Sequence, residues 1–152
     1  MHSKTLQDSI THSFAADRRV VLLVGPPGCG KSRFLRELPD VSIVNVGKDL
    51  PRELIPIPEA ERGEKAVAVL TELIANLAHP VVVLDNIGLL LNPRLNLDIW
   101  AVLDQLSAVK RLIVAWTGKV DGDRIQWGEP GVPGHLVMSL ENCPASIVEM
   151  KV

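Results

Sequence analysis

The 152-residue chain sets 16 Lys and Arg against 18 Asp and Glu, a formal net charge of -2, and 47% of its residues are apolar. That length and composition suit a single domain spanning 1–152 with one ordinary core, and the near-balance of charge excludes the global basic field that draws proteins onto DNA or anionic membranes. Three Trp, two Phe and no Tyr leave few stacking platforms for single-stranded nucleic acid, so direct nucleic-acid binding is not expected, even with a local basic group at Arg18, Arg19, Arg33 and Arg36.

The first element in chain order is an amphipathic helix over Ser3–Ala16, with Leu6, Ile10 and Phe14 at helical spacing and the edge of a sheet as its expected packing partner. Val20–Val24 is a continuous apolar run of the kind buried on both faces of a parallel sheet. A glycine-rich loop follows it, then a helix over Lys31–Leu38 stopped by Pro39. Val41–Val46 reads as a second strand. A long loop punctuated by Pro51, Pro56 and Pro58 is expected after it, then a helix over Glu59–Ala78.

Val81–Leu84 reads as the third strand, Leu97–Val109 as a helix capped by Asn96, Leu112–Trp116 as the fourth strand and His135–Leu140 as the fifth. Gly118–Gly134 is the most irregular stretch. The longest apolar run, Val81–Leu91, is broken by Asp85 and Asn86 and falls short of the roughly 20 residues that span a bilayer. Cys29 and Cys143 lie far apart without metal-site spacing or a signal-peptide pattern, so a reduced, cytoplasmic protein is expected. Alternating strands and helices predict an α/β fold: a mostly parallel sheet of about five strands, helices on both faces, and ligands outside the carboxyl ends of the strands.

The segment Gly25-Pro26-Pro27-Gly28-Cys29-Gly30-Lys31-Ser32 satisfies G-x-x-x-x-G-K-[ST], the P-loop or Walker A pattern. Its glycines allow close backbone approach, its N–H groups are expected to wrap the phosphates of ATP, Lys31 to reach the terminal phosphates, and Ser32 to ligate Mg²⁺. Arg33 is a further candidate phosphate contact. Cys29 sits beside a lysine and is a candidate for alkylation sensitivity, although any small residue would serve at that loop position.

Asp85 ends an apolar strand, where a carboxylate is costly unless it faces a polar site, and so matches a Walker B aspartate holding Mg²⁺ opposite Ser32. Hydrolysing AAA+ enzymes commonly carry glutamate next. Here Asn86 can orient water but cannot act as a base, which predicts ATP binding with slow intrinsic hydrolysis. Thr117, closing the fourth strand, stands where AAA+ sensor-1 residues contact the terminal phosphate or the attacking water. Arg94 and Arg124 are the loop arginines best placed to act on a neighbour's phosphate in a homo-oligomer, Arg124 being preferred. Trp116 reads as core.

With GPPGCGKS, VNVGKDLPRELI, VVVLDNIGLLLNPRLNLDIWAVLDQLS, RLIVAWTG and GEPGVPGH, the chain resembles the BrxF family, small P-loop proteins of type 3 BREX bacteriophage-defence systems, from about Arg19 to His135. The Asp85-Asn86 pair before an Asn-Pro turn and the Trp-containing strand leading to GEPG carry the resemblance. It implies an AAA+-like core, ATP and Mg²⁺ as ligands, and BREX partners that include a large ATPase, a DNA methyltransferase, an alkaline-phosphatase-like protein and a helicase. Gly25, Gly28, Gly30, Lys31 and Ser32 carry over for nucleotide and Asp85 for Mg²⁺. Cys29 and Ser32 depart from the commoner serine and threonine. With some dozen residues left after the fifth strand, no C-terminal helical lid is expected. Three functions follow from these residues: a regulatory or assembly subunit, a weak or partner-activated ATPase, and a small nucleotide or metabolite kinase.

Overall fold

The computed structural model describes residues 2–15 and 19–150, so Arg18 of the basic group lies outside the described residues. The described residues form five α-helices, α1 (His2–Ala15), α2 (Lys31–Arg36), α3 (Val46–Leu54), α4 (Arg62–Ala75) and α5 (Ile99–Ser107). The strands are β1 (Val20–Gly25), β2 (Val41–Asn45), β3 (Val81–Asp85), β4 (Arg111–Asp121), β5 (Arg124–Trp127), β6 (Leu136–Ser139) and β7 (Ser146–Glu149). They form one sheet in the order β2-β3-β4-β1-β7, parallel along that path, with β5 and β6 continuing from β4 as an antiparallel ribbon.

The alternation of side chains along each strand divides the core into two layers. Val20, Leu22 and Val24 of β1, with Val82 and Leu84 of β3 and Leu112 and Val114 of β4, face the layer built by α3, α4 and α5. Val21 and Leu23, with Val83, Ile113 and Ala115, face α1 and α2 through Leu6, Ile10, Phe34 and Leu35. Every residue of β1 is buried, which is why its sequence is apolar without interruption. The expected edge position of α1 is found: it packs on β1 and the edge strand β7.

Several expectations about elements are corrected. The stretch expected as a proline-punctuated loop contains α3, with Pro51 inside it. Val46, Leu50 and Leu54 are all buried at i, i+4 and i+8, and that packing outweighs the N–H that Pro51 lacks. The fifth parallel strand is β7. The segment read as the fifth strand, His135–Leu140, supplies instead β6 of the ribbon. Gly118–Gly134, expected to be irregular, is the end of β4, all of β5 and the connecting turns. Finally, α5 is capped by Asp98, whose carboxylate accepts from Trp100 N at 3.1 Å and Ala101 N at 3.4 Å, while Asn96 adopts the left-handed conformation in the preceding turn.

The helix expected from Glu59 is split into a 3-10 turn at Glu59–Glu61 followed by α4. Among the described residues no helix is long and apolar enough to cross a membrane.

Candidate functional site

The chain leaves β1 at Gly25, whose register partner is Thr117 of β4, and reaches α2 through the glycine loop. Gly28 and Gly30 take φ of 76° and 95°, left-handed values that an L side chain rarely adopts. Gly30 caps α2, and the first backbone bond of that helix, Phe34 N to Gly30 O at 2.9 Å, leaves the Lys31 and Ser32 N–H groups ahead of it. Lys31 is only 8% exposed. Its ammonium donates to Gly25 O at 2.8 Å and Pro26 O at 3.0 Å and lies 3.6 Å from Cys29 Sγ, so the cation is held inside the loop by the loop's own acceptors.

Ser32 and Asp85, 53 residues apart in the sequence, meet: Ser32 Oγ donates to Asp85 Oδ2 at 3.2 Å. The other carboxylate oxygen accepts from Asn86 N at 2.9 Å. A hydroxyl and a carboxylate are hard oxygen donors, and Mg²⁺ is characteristically held by one or two such protein groups with phosphates and water completing its shell. Among the described residues no cluster of three or more His, Cys, Asp and Glu could hold a metal by side chains alone. The donor chemistry of the Ser32–Asp85 pair is the kind that suits Mg²⁺ arriving with a phosphate ligand.

Asn86 has a position that its sequence context did not signal. Its backbone is left-handed, φ 57° and ψ 52°, a conformation that asparagine tolerates better than other side chains. Its Nδ2 donates to Asn45 Oδ1 at 2.9 Å, and its carbonyl accepts from Gly47 N at 3.0 Å. The same Asn45 oxygen accepts from Lys48 N at 3.1 Å and so caps α3. Gly47 leaves room for this arrangement, because a Cβ would overlap the Asn86 carboxamide and push it off its hydrogen bond. These three residues form a latch joining the end of β2, the start of α3 and the residue after Asp85. Asn45 and Gly47 were missed in the sequence, although Asn followed by apolar residues at i+1, i+5 and i+9 is an N-cap signal.

Thr117 lies where β4, intervening between β1 and β3, brings it: level with Gly25 and partly buried, its carbonyl accepting from Gly128 N at 2.8 Å. Trp116, one residue earlier, is fully buried, stacks on Trp100 at 5.7 Å, meets Trp127 edge-on at 5.2 Å and donates its indole N–H to Gln126 O at 2.9 Å. A cavity of about 360 Å³ opens between Pro26, Pro27 and the ribbon residues Gly118, Lys119 and Glu129.

Three candidates are not brought to the loop. Arg33 is exposed and paired with Glu37 at 3.6 Å. Arg124 stands opposite Asp121 at the far end of the ribbon, roughly 13 Å along the strand from Thr117 at about 3.3 Å per residue. Arg94 lies in a 3-10 turn, Pro93–Leu95, and lines a groove against α3. A scan against protein-family models finds no match to this chain, and a search of curated proteins finds none either.

Proposed function

We propose that the chain is an ATP- and Mg²⁺-binding P-loop domain with an AAA+-like core, acting as a nucleotide-dependent regulatory or assembly subunit with slow intrinsic hydrolysis. The observation that carries this reading is the convergence of Ser32 on Asp85 at the carboxyl end of the sheet, directly after the glycine loop. Backbone N–H groups at Gly28, Gly30, Lys31 and Ser32 receive the phosphates, and Lys31 exchanges the Gly25 and Pro26 carbonyls for phosphate oxygens. Ser32 and Asp85 would hold Mg²⁺, which when bound would supply neutralising charge to the terminal phosphates. Thr117 is the polar group between the two strand ends. The slow hydrolysis follows from Asn86: its amide is engaged by Asn45 and carries no base.

The resemblance to the BrxF family supports a role in a bacterial antiphage defence system of the BREX type, with other BREX proteins as partners. The test is direct. Purified chain is incubated with Mg²⁺ and ATP, freed of unbound nucleotide, and the retained nucleotide identified by chromatography, with Lys31→Ala and chelation by EDTA as controls. Retained ATP, lost in both controls, is the expected result. Rapid appearance of ADP would refute slow hydrolysis, and equal retention in Lys31→Ala would refute the loop as the site.

A second reading, an oligomer-activated ATPase, is favoured by one observation. Arg124 is carried away from its own loop by the ribbon, a placement that suits action on a neighbouring copy and not in cis.

A further inference from the structure

The groove lined by Arg94 is formed by two walls that both start at the Asn45–Asn86 latch. One is the second half of α3, through Pro51, Leu54 and Ile55; the other is the chain after Asn86, through Leu89, Asn92 and Leu95. It encloses about 340 Å³, a volume suited to one or two bulky side chains. Behind it α4 lies close against the Leu89–Leu95 wall, since a Cβ on Gly63 would overlap the Leu95 carbonyl.

Two features mark the groove as a docking surface and say what docks. Ile55 at its rim is 73% exposed, the most exposed of the large apolar side chains described. The charged lining is Arg62 and Arg94 against Glu59. Arg62 donates through Nε to Ile57 O at 2.8 Å and through Nη2 to Ile55 O at 3.4 Å, which fixes its guanidinium beside the groove. Among the described residues Arg94 has no ion pair. A bulky apolar side chain flanked by carboxylates satisfies both the walls and the guanidinium forks. A nucleic-acid strand suits the groove less well, because its walls are aliphatic and offer no ring for a base to stack on.

We propose that this groove docks an acidic segment of a partner protein, anchored by one bulky apolar residue between α3 and the Leu89–Leu95 wall. The proposal deepens the regulatory-subunit reading and rests on it only for its purpose, not for the contact itself. Because both walls begin at the latch beside Asp85, the docked segment is held by the elements that the nucleotide site also uses.

A library of random twelve-residue peptides displayed on phage is panned on the full chain, and enriched peptides are synthesised with a fluorophore and titrated. Sequences with a bulky apolar residue beside Asp or Glu are expected. Their affinity should fall by about tenfold or more in Arg94→Glu and in Ile55→Asp, with Arg94→Ala as a milder variant and circular dichroism confirming the fold. No enrichment, enriched peptides without acidic residues, or binding unmoved by both positions would overturn the proposal. So would a fluorescent twenty-nucleotide single-stranded DNA that binds in an Arg94-dependent manner more tightly than any peptide. Peptide affinity in Lys31→Ala keeps the two readings separate: docking intact while ATP retention is unaffected by the loop substitution counts against the nucleotide site alone.

Discussion

Replacing Asn45 by alanine removes one oxygen that serves two donors. Lys48 N at 3.1 Å loses its cap and Asn86 Nδ2 at 2.9 Å loses its acceptor. Loss of an N-cap typically costs about 1 kcal/mol and a neutral hydrogen bond about 0.5–1.5 kcal/mol. Both bonds lie in solvent-accessible positions, so the lower part of each range applies and about 1–2 kcal/mol is expected in total. For a domain of this size that lowers the melting temperature by about 2–8 °C. Urea unfolding followed by tryptophan fluorescence measures it as a fall in midpoint at unchanged m. Asn45→Asp keeps an acceptor for both donors and adds a favourable charge at the start of α3, partly offset by repulsion from Asp85, its partner on β3, so it should fall between the parent and Asn45→Ala. The Asn45→Ala and Asn86→Ala effects should also fall short of additivity, since either removes the shared bond. An Asn45→Asp chain as unstable as Asn45→Ala, or strict additivity of the two alanine substitutions, would refute the latch.

Gly47→Ala is expected to destabilise by about 1–3 kcal/mol because its Cβ overlaps the Asn86 carboxamide; in an Asn86→Gly background the same change should stabilise by roughly 0.5–1 kcal/mol through helix propensity, a reversal of sign that chemical denaturation would show. Ser32→Ala should leave stability within about 0.5 kcal/mol yet remove most of the Mg²⁺-dependent part of ATP affinity, read by titration with and without the metal. Asn86→Glu should raise ATP turnover while costing about 1–2 kcal/mol for a glutamate held in the left-handed region; unchanged turnover in folded protein would count against the role given to Asn86. In the oligomer-activated reading, turnover rises with protein concentration and Arg124→Ala abolishes the rise; a rate per chain that is flat with concentration would count against that reading.

The strands that build the site were legible because burial on both faces leaves only apolar residues: VVLLVG, VVVLD and RLIVAW announce themselves, and the chemistry-bearing residues stand at their carboxyl ends. The contact of Ser32 with Asp85 followed from that placement. What escaped the sequence was decided by tertiary contacts. Pro51 argued against a helix, and only the packing of Val46, Leu50 and Leu54 overrides it. β7 spans Ser146–Glu149 and carries no long apolar signal, because it lies at the sheet edge and only Val148 of its residues is buried. The ribbon was obscured by glycines and prolines in its turns, although Ile125 and Trp127 alternate inward from Arg124 and Gln126 as a half-buried strand requires. The latch was hidden for a different reason: Asn45, Gly47 and Asn86 are ordinary residues whose meaning lies in their distance from one another.

The strand that leads into the glycine loop is also the one whose partners come latest in the chain. Val20 pairs with Leu112, and Val21 with Ser146. During synthesis β1 is made before both of its partners and must wait first for β4 and then for β7 before its two edges are covered. Such long loop closures slow folding and leave an unpaired apolar strand exposed meanwhile. The strand order that sets Thr117 beside Gly25 thus makes the nascent chain dependent on protection of its first strand, and the phosphate loop becomes one of the last features of the fold to be fixed.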